Sequence, residues 1–266
     1  MSDAFELVYR SVEQQHAEKP AATRRKFVAG AATTLGGLGL LAVPGAAWAD
    51  GRERRGDDPQ TILNVAATAE VLATIVNTVG FERGLGGDPV TQRNIKAAAR
   101  EELVHYQVLV ASGGKPVTER IWVPNVVFAS RTGLLNTLQV GDQIFVNAYL
   151  IATMTFGNLG NGALAVTAAE FMGVEAVHRA LARQSLGQLG NDRVFCKFDQ
   201  PEQAPGAPNI GQPGFDHILG AVAQLEAAGF GFGEPGAEPG QFYDFDQVSK
   251  RTPTDPDLNT FTPDTE

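Results

Sequence analysis

The sequence predicts an all-α fold: a four-helix bundle with a long crossover between helices 2 and 3, followed by an irregular C-terminal extension. Three observations carry that expectation. Apolar residues recur at helical spacing through four long segments. Asp-Pro starts and Gly-rich stops punctuate the first two of them. The same pattern of acidic and histidine residues then occurs once in each half of the chain.

The first helix begins at Asp58-Pro59, an N-cap acid followed by proline at the first helical position, and runs to about Gly80. The turn FERGLGG leads to Asp88-Pro89, the same start signal, and the second helix stops at Gly113-Gly114. Residues 115–138 read as a connection, with Pro116, Pro124 and the β-branched stretch IWVPNVVF. A helix of about 24 residues is roughly 36 Å long. A connection of this length spans that distance at about 3.3 Å per residue, so helices 2 and 3 are expected to run parallel.

The third helix is expected from Gln139 to Gly157, and the fourth from Gly162 to Gln184 after the turn NLGNG. The bundle thus occupies 59–186. Residues 187–266 form a Pro/Gly-rich extension with one short helix in DHILGAVAQLEAAG and a polar tail.

Composition narrows the function. A net charge of −9 argues against nucleic acid or an anionic membrane surface as the main partner. Cys196 is the sole cysteine, which rules out an intrachain disulfide and a cysteine-based zinc or iron–sulfur site. It reads as a small apolar packing residue.

The N-terminus carries a separate message. Arg24 and Arg25 precede Lys26-Phe27-Val28, an uncharged run extends to Trp48, and Ala47-Trp48-Ala49 offers a small-x-small cleavage pattern. This resembles a twin-arginine signal, which implies the twin-arginine export machinery and signal peptidase as partners and export as a folded unit. The run is long enough to span a bilayer. Glycine and threonine dilute it, however, so a cleaved signal over 1–49 and a linker over 50–58 are expected rather than an anchor. The mature chain would then be periplasmic or extracellular and not membrane-embedded.

The chemistry lies on the helices. On the second, Lys96, Arg100 and Gln107 mark the polar stripe, while Ile95, Ala98, Ala99, Glu102, His105 and Leu109 share the apolar side. A bare carboxylate there costs several kcal/mol unless something pairs with it. The first helix carries Glu70, and 32 residues later comes Glu102-x-x-His105. The third carries Asp142, and 33 residues later comes Glu175-x-x-His178. Residues at i and i+3 project from one helix face, so each pair offers an oxygen and an imidazole nitrogen to one point. Two such hairpins related by a pseudo-twofold axis supply four acids and two imidazoles, the ligand set of a pair of iron or manganese ions.

Glu101 also borders the apolar side, but the i+3 spacing matched by Glu175 favours Glu102. Tyr149, two turns after Asp142, faces the same way, either as a hydrogen-bond partner of a ligand or, the favoured reading, as plain packing. His217 reads as structural, and Glu82 and Glu170 as solvated or capping residues.

These residues resemble the ferritin-like superfamily and, more closely, exported bacterial ferritin-like proteins related to plant desiccation-associated proteins. The first-helix acid matches Glu70, the two Glu-x-x-His pairs match, and Ala148-Tyr149-Leu150 matches the third-helix AYL. The resemblance places the family's third-helix glutamate at Asp142. Aspartate is one methylene shorter, which sets its carboxylate roughly 1.5 Å nearer its own helix. It reaches one ion or neither, leaving one or two ions per chain open.

The resemblance implies a di-iron or di-manganese centre that reacts with oxygen or peroxide, in a chain that can form a homo-oligomer. The alternative is a non-catalytic stress- or desiccation-related bundle whose metal site is structural or degenerate.

Overall fold

A computed structural model describes residues 57–191 and 214–254. The expected export signal with Arg24 and Arg25, the cleavage pattern at 47–49, Cys196 and the polar tail beyond residue 254 lie outside the described residues.

Helix α1 (Pro59–Glu82) starts where Asp58 accepts a hydrogen bond from the Thr61 N–H at 3.0 Å. Helix α2 (Pro89–Ala111) is capped in the same way, with Asp88 accepting from Thr91 N at 2.9 Å. These carboxylates satisfy N–H groups that the first turn leaves without partners. Gly113 ends α2 in the left-handed region at φ +98°, where a side chain would be strained. By length and composition, α1 alone among the described helices would pass as a membrane span. It is instead the central helix of the fold, with 89% of that window buried in protein.

Helix α3 (Arg131–Asn158) begins earlier than the sequence reading placed it. Ser130 accepts from Gly133 N at 3.0 Å and opens the helix well before Gln139. Helix α4 (Gly162–Ser185) follows the expected turn, capped by Asn161 at 3.1 Å from Leu164 N.

Side-chain contacts fix the helix directions. Gln60 at the start of α1 donates to the Gly113 carbonyl just beyond α2, so these two helices are antiparallel. Arg131 at the start of α3 pairs with Asp88 at the start of α2 at 2.9 Å. Thr91 near the start of α2 bonds Ser185 at the end of α4 at 2.9 Å. Helices α2 and α3 therefore run parallel, as the long connection requires, and α4 runs against both. Packing joins α1 to α2, α3 to α4, α1 to α3 and α2 to α4.

The connection is not merely a linker, and the extension is not an irregular wrap with one short helix. The stretch IWVPNVVF contains β1 (Arg120–Pro124) and a 3-10 turn (Asn125–Phe128). The extension supplies α5 (Leu219–Ala227), β2 (Gly231–Phe232), β3 (Gly240–Asp244) and α6 (Phe245–Ser249). Strand β1 lies between β2 and β3, antiparallel to both, with Ile121 opposite Phe232 on one side and Tyr243 on the other. Ile121 and Val123 are buried, so the sheet joins the helical core rather than standing apart. The expected short helix is α5.

The end of the extension is fastened to α1. Thr78 and Thr252 share a buried hydrogen bond at 2.9 Å, and Arg251 pairs with Glu82 at 2.8 Å. Phe245 is buried against Tyr106, ring centroids 4.4 Å apart. Phe245→Ala should therefore cost about 3–5 kcal/mol in urea denaturation, the usual loss for a buried aromatic. A change below about 0.5 kcal/mol would show that the extension adds nothing to the core.

Candidate metal centre

All six sequence-derived residues are buried in the middle of the four long helices. Glu70, Glu102 and Glu175 have no exposed surface at all, at 0% each. Each helix turns its polar residues inward at the same depth: Glu70 from α1, Glu102 and His105 from α2, Asp142 from α3, Glu175 and His178 from α4.

The geometry has an internal symmetry. His105 Nδ1 stands 3.4 Å from Glu102 Oε2, 3.4 Å from Glu175 Oε1 and 3.6 Å from Glu70 Oε1. His178 Nδ1 stands 3.1 Å from Glu102 Oε1 and 3.8 Å from Glu175 Oε2. Each Glu-x-x-His glutamate thus turns one oxygen towards each imidazole. Glu102 and Glu175 sit between the two halves, with Glu70 on the His105 side.

Donor atoms of Glu70, Glu102, His105 and Glu175 lie within 4.8 Å of one another. His178 meets two of these glutamates. Asp142 is buried nearby and lines a small cavity of about 30 Å³ together with His178. It stands outside the group of four whose donor atoms lie closest together.

Two further residues belong to the centre. Glu101, which the sequence reading set aside for Glu102, places Oε2 at 2.6 Å from His178 Nε2. The pairing crosses between α2 and α4, so no local spacing reveals it. Tyr149 donates its hydroxyl hydrogen bond to Glu70 Oε1, so the plain-packing reading is corrected. Its helical position relative to Asp142 was the available signal. Phe171 stacks on the His105 ring, centroids 3.9 Å apart, and fixes its plane.

Burial of so many ionisable groups shifts their titration. Desolvation pushes the Glu70 carboxyl well up, and the charge of Glu102 adds to it. Asp142 is raised by burial and then by Glu175. Burial also acts to raise Glu102, but the two imidazoles facing it prevail and hold it low. Burial lowers both histidines, yet Glu70, Glu102 and Glu175 around His105 carry it well above its ordinary value. Glu101, Glu102 and Glu175 do the same for His178.

Eight atoms of the six residues have no hydrogen-bond partner: Glu70 Oε2, both oxygens of Glu102 and Glu175, Asp142 Oδ2, and Nδ1 of both histidines. Buried polar atoms are ordinarily satisfied. Eight orphaned donor atoms turned to one region, nearly all of them acceptors or metal ligands, fit a cation. The mixed carboxylate and imidazole set suits iron or manganese and lacks the sulfur that soft ions favour.

A scan against family models and searches of curated proteins and of solved structures find no match for this chain. The case for function rests on the centre itself.

Without metal, protons take the place of the cation. Four groups, Glu70, Asp142, His105 and His178, keep protons in the folded state that the unfolded chain releases at lower pH. Their stabilising contribution is full below the unfolded pKa values and is lost as pH rises through the folded ones. Glu101 and Glu102 act oppositely, but only as pH falls through the carboxylate range. In chelator, stability should therefore decline from about pH 4 upward through Glu70 and Asp142, and more steeply above about pH 6.5 where the histidines join, by about 1.4 kcal/mol per pH unit for each proton retained. Urea melts at about pH 6 and about pH 9 measure it. Equal or greater stability at the higher pH would contradict this description of the centre.

Proposed function

We propose that the chain is an exported ferritin-like protein whose four long helices hold a carboxylate-bridged pair of iron or manganese ions. The observation that carries this reading is the arrangement of Glu102 and Glu175, each with one oxygen towards His105 and the other towards His178. Glu70, His105 and the two shared glutamates would hold one ion. His178, the shared glutamates and Asp142 would hold the other. A bound iron or manganese pair supplies redox chemistry towards oxygen or peroxide.

The remaining residues prepare the ligands. Tyr149 orients the Glu70 carboxylate and satisfies one of its oxygens. Glu101 takes the outer nitrogen of His178, leaving Nδ1 for the interior, as a carboxylate partner commonly does for a ligating histidine. Full burial of Glu70, Glu102 and Glu175 strengthens their attraction for a cation. Export through a twin-arginine signal agrees with this function, because that route carries a folded chain with its metal already loaded.

One observation favours a second reading, a structural or degenerate site in a non-catalytic, stress-related bundle. Asp142 stands outside the four-residue group, so the His178 half has fewer donors. Elemental analysis of protein reconstituted with Fe(II) or Mn(II) separates the di-metal reading from a degenerate site. The di-metal reading expects about one to two ions per chain, a rise towards two in Asp142→Glu, and near-complete loss in His105→Ala. Absence of metal in the wild type, with no change of melting temperature in His105→Ala, would support the second reading and defeat the first.

A further inference from the structure

A cavity of about 280 Å³ lies between α1 and α3, under α5 and the 3-10 turn. Leu72, Val76, Phe145, Leu225 and Phe230 give it an apolar lining. Protein interiors leave few voids larger than a water molecule. An apolar cavity of about 150 Å³ already holds benzene, so this one has room for a molecule of about ten heavy atoms. Exposed Val126 and Asn136 stand among its lining residues, which makes it reachable from solvent among the described residues.

Its polar residues are few and specific. Asn77 and Asp142 both line it, both are at least nine-tenths buried, and Asn77 Oδ1 and Asp142 Oδ2 have no hydrogen-bond partner. The Asn77 side-chain amide spends one N–H on the Ala73 carbonyl at 3.1 Å, and its Oδ1 remains without a partner. A pocket with an apolar body and two buried oxygens without partners selects a ligand with an apolar body and a hydroxyl end, which can donate to one oxygen and accept from a protonated one. A carboxylate end would be buried as a bare charge, because no Lys, Arg or His lines the pocket.

We propose that this cavity is a binding site for a compact apolar alcohol or phenol, its hydroxyl directed at Asn77 and Asp142. The site needs no ion, its walls coming from α1, α3 and the extension, but it shares Asp142 with the metal-centre reading and is therefore tested without metal. An occupant would lie beside the Glu/His cluster.

Gly141 supplies the means to block it. This residue lines the cavity inside α3, has an ordinary helical backbone, and a Cβ added there meets nothing within 4 Å. The experiment is calorimetric titration of the full-length chain, in chelator, with 1-octanol and with octanoate. Saturable binding of 1-octanol is expected, with octanoate at least about tenfold weaker. Gly141→Phe should abolish octanol binding while melting no lower than the wild type, and Asn77→Leu should weaken it about fivefold, the worth of one buried hydrogen bond.

No saturable binding of 1-octanol by the wild type would overturn the proposal, whatever the variants do. Equal binding of octanoate, or unchanged binding in a folded Gly141→Phe, would overturn it as well. Because chelator is present throughout, failure here leaves the metal centre untouched, and loss of metal leaves the cavity untouched.

Discussion

Four carboxylates meet two imidazoles in the dry middle of four helices, and the rest of the structure is organised around offsetting that charge. Taking one unpaired carboxylate out of water costs several kcal/mol, and bringing several together adds repulsion. Glu70, Glu102 and Glu175 are entirely buried, so solvent cannot screen them. Beside Asp142 the buried Arg179 guanidinium supplies part of that role, and protons or metal ions must supply the rest. Protons do so at the expense of pH-dependent stability, whereas a metal ion satisfies the same atoms without neutralising the acids one by one.

This constraint explains the helix arrangement. Every long helix contributes at least one acid, and the acids meet at one depth with α2 and α3 running parallel. The connection between them is therefore long, and it is used twice. It returns the chain along the helices, and it supplies β1, to which the extension adds β2 and β3. The extension in turn covers the seam between α1 and α3, where α5 and Phe230 close over the apolar cavity.

The sequence made the helices with local signals legible. Asp58-Pro59 and Asp88-Pro89 are caps followed by proline, and both open helices where they stand. The start of α3 was obscured because Ser130 follows a β-branched stretch and precedes a glycine at 133, so its cap resembles loop sequence. The sheet escaped for a related reason. Strand β2 has two residues and β3 begins at a glycine, too short for alternation to show, and their pairing with β1 spans more than a hundred residues. Among the site residues, Glu102/His105 and Glu175/His178 were legible because i,i+3 spacing is a property of one helix. Glu101 and Tyr149 were not resolved, because each acts across a helix interface, on His178 and Glu70 respectively. Asp142 was legible as a position, because it stands on the third helix where Glu70 stands on the first.

The central claim is that the buried Glu/His cluster exists to hold cations. Anomalous X-ray scattering from crystals of the Mn(II)- or Fe(II)-reconstituted protein, collected at the metal edge, tests it most directly. The account predicts an anomalous peak within about 2.0–2.5 Å of donor atoms from Glu70, Glu102, His105 and Glu175, with any second peak on the His178 and Asp142 side. A map without a peak there, with the acids instead paired to protonated His105 and His178, would contradict it.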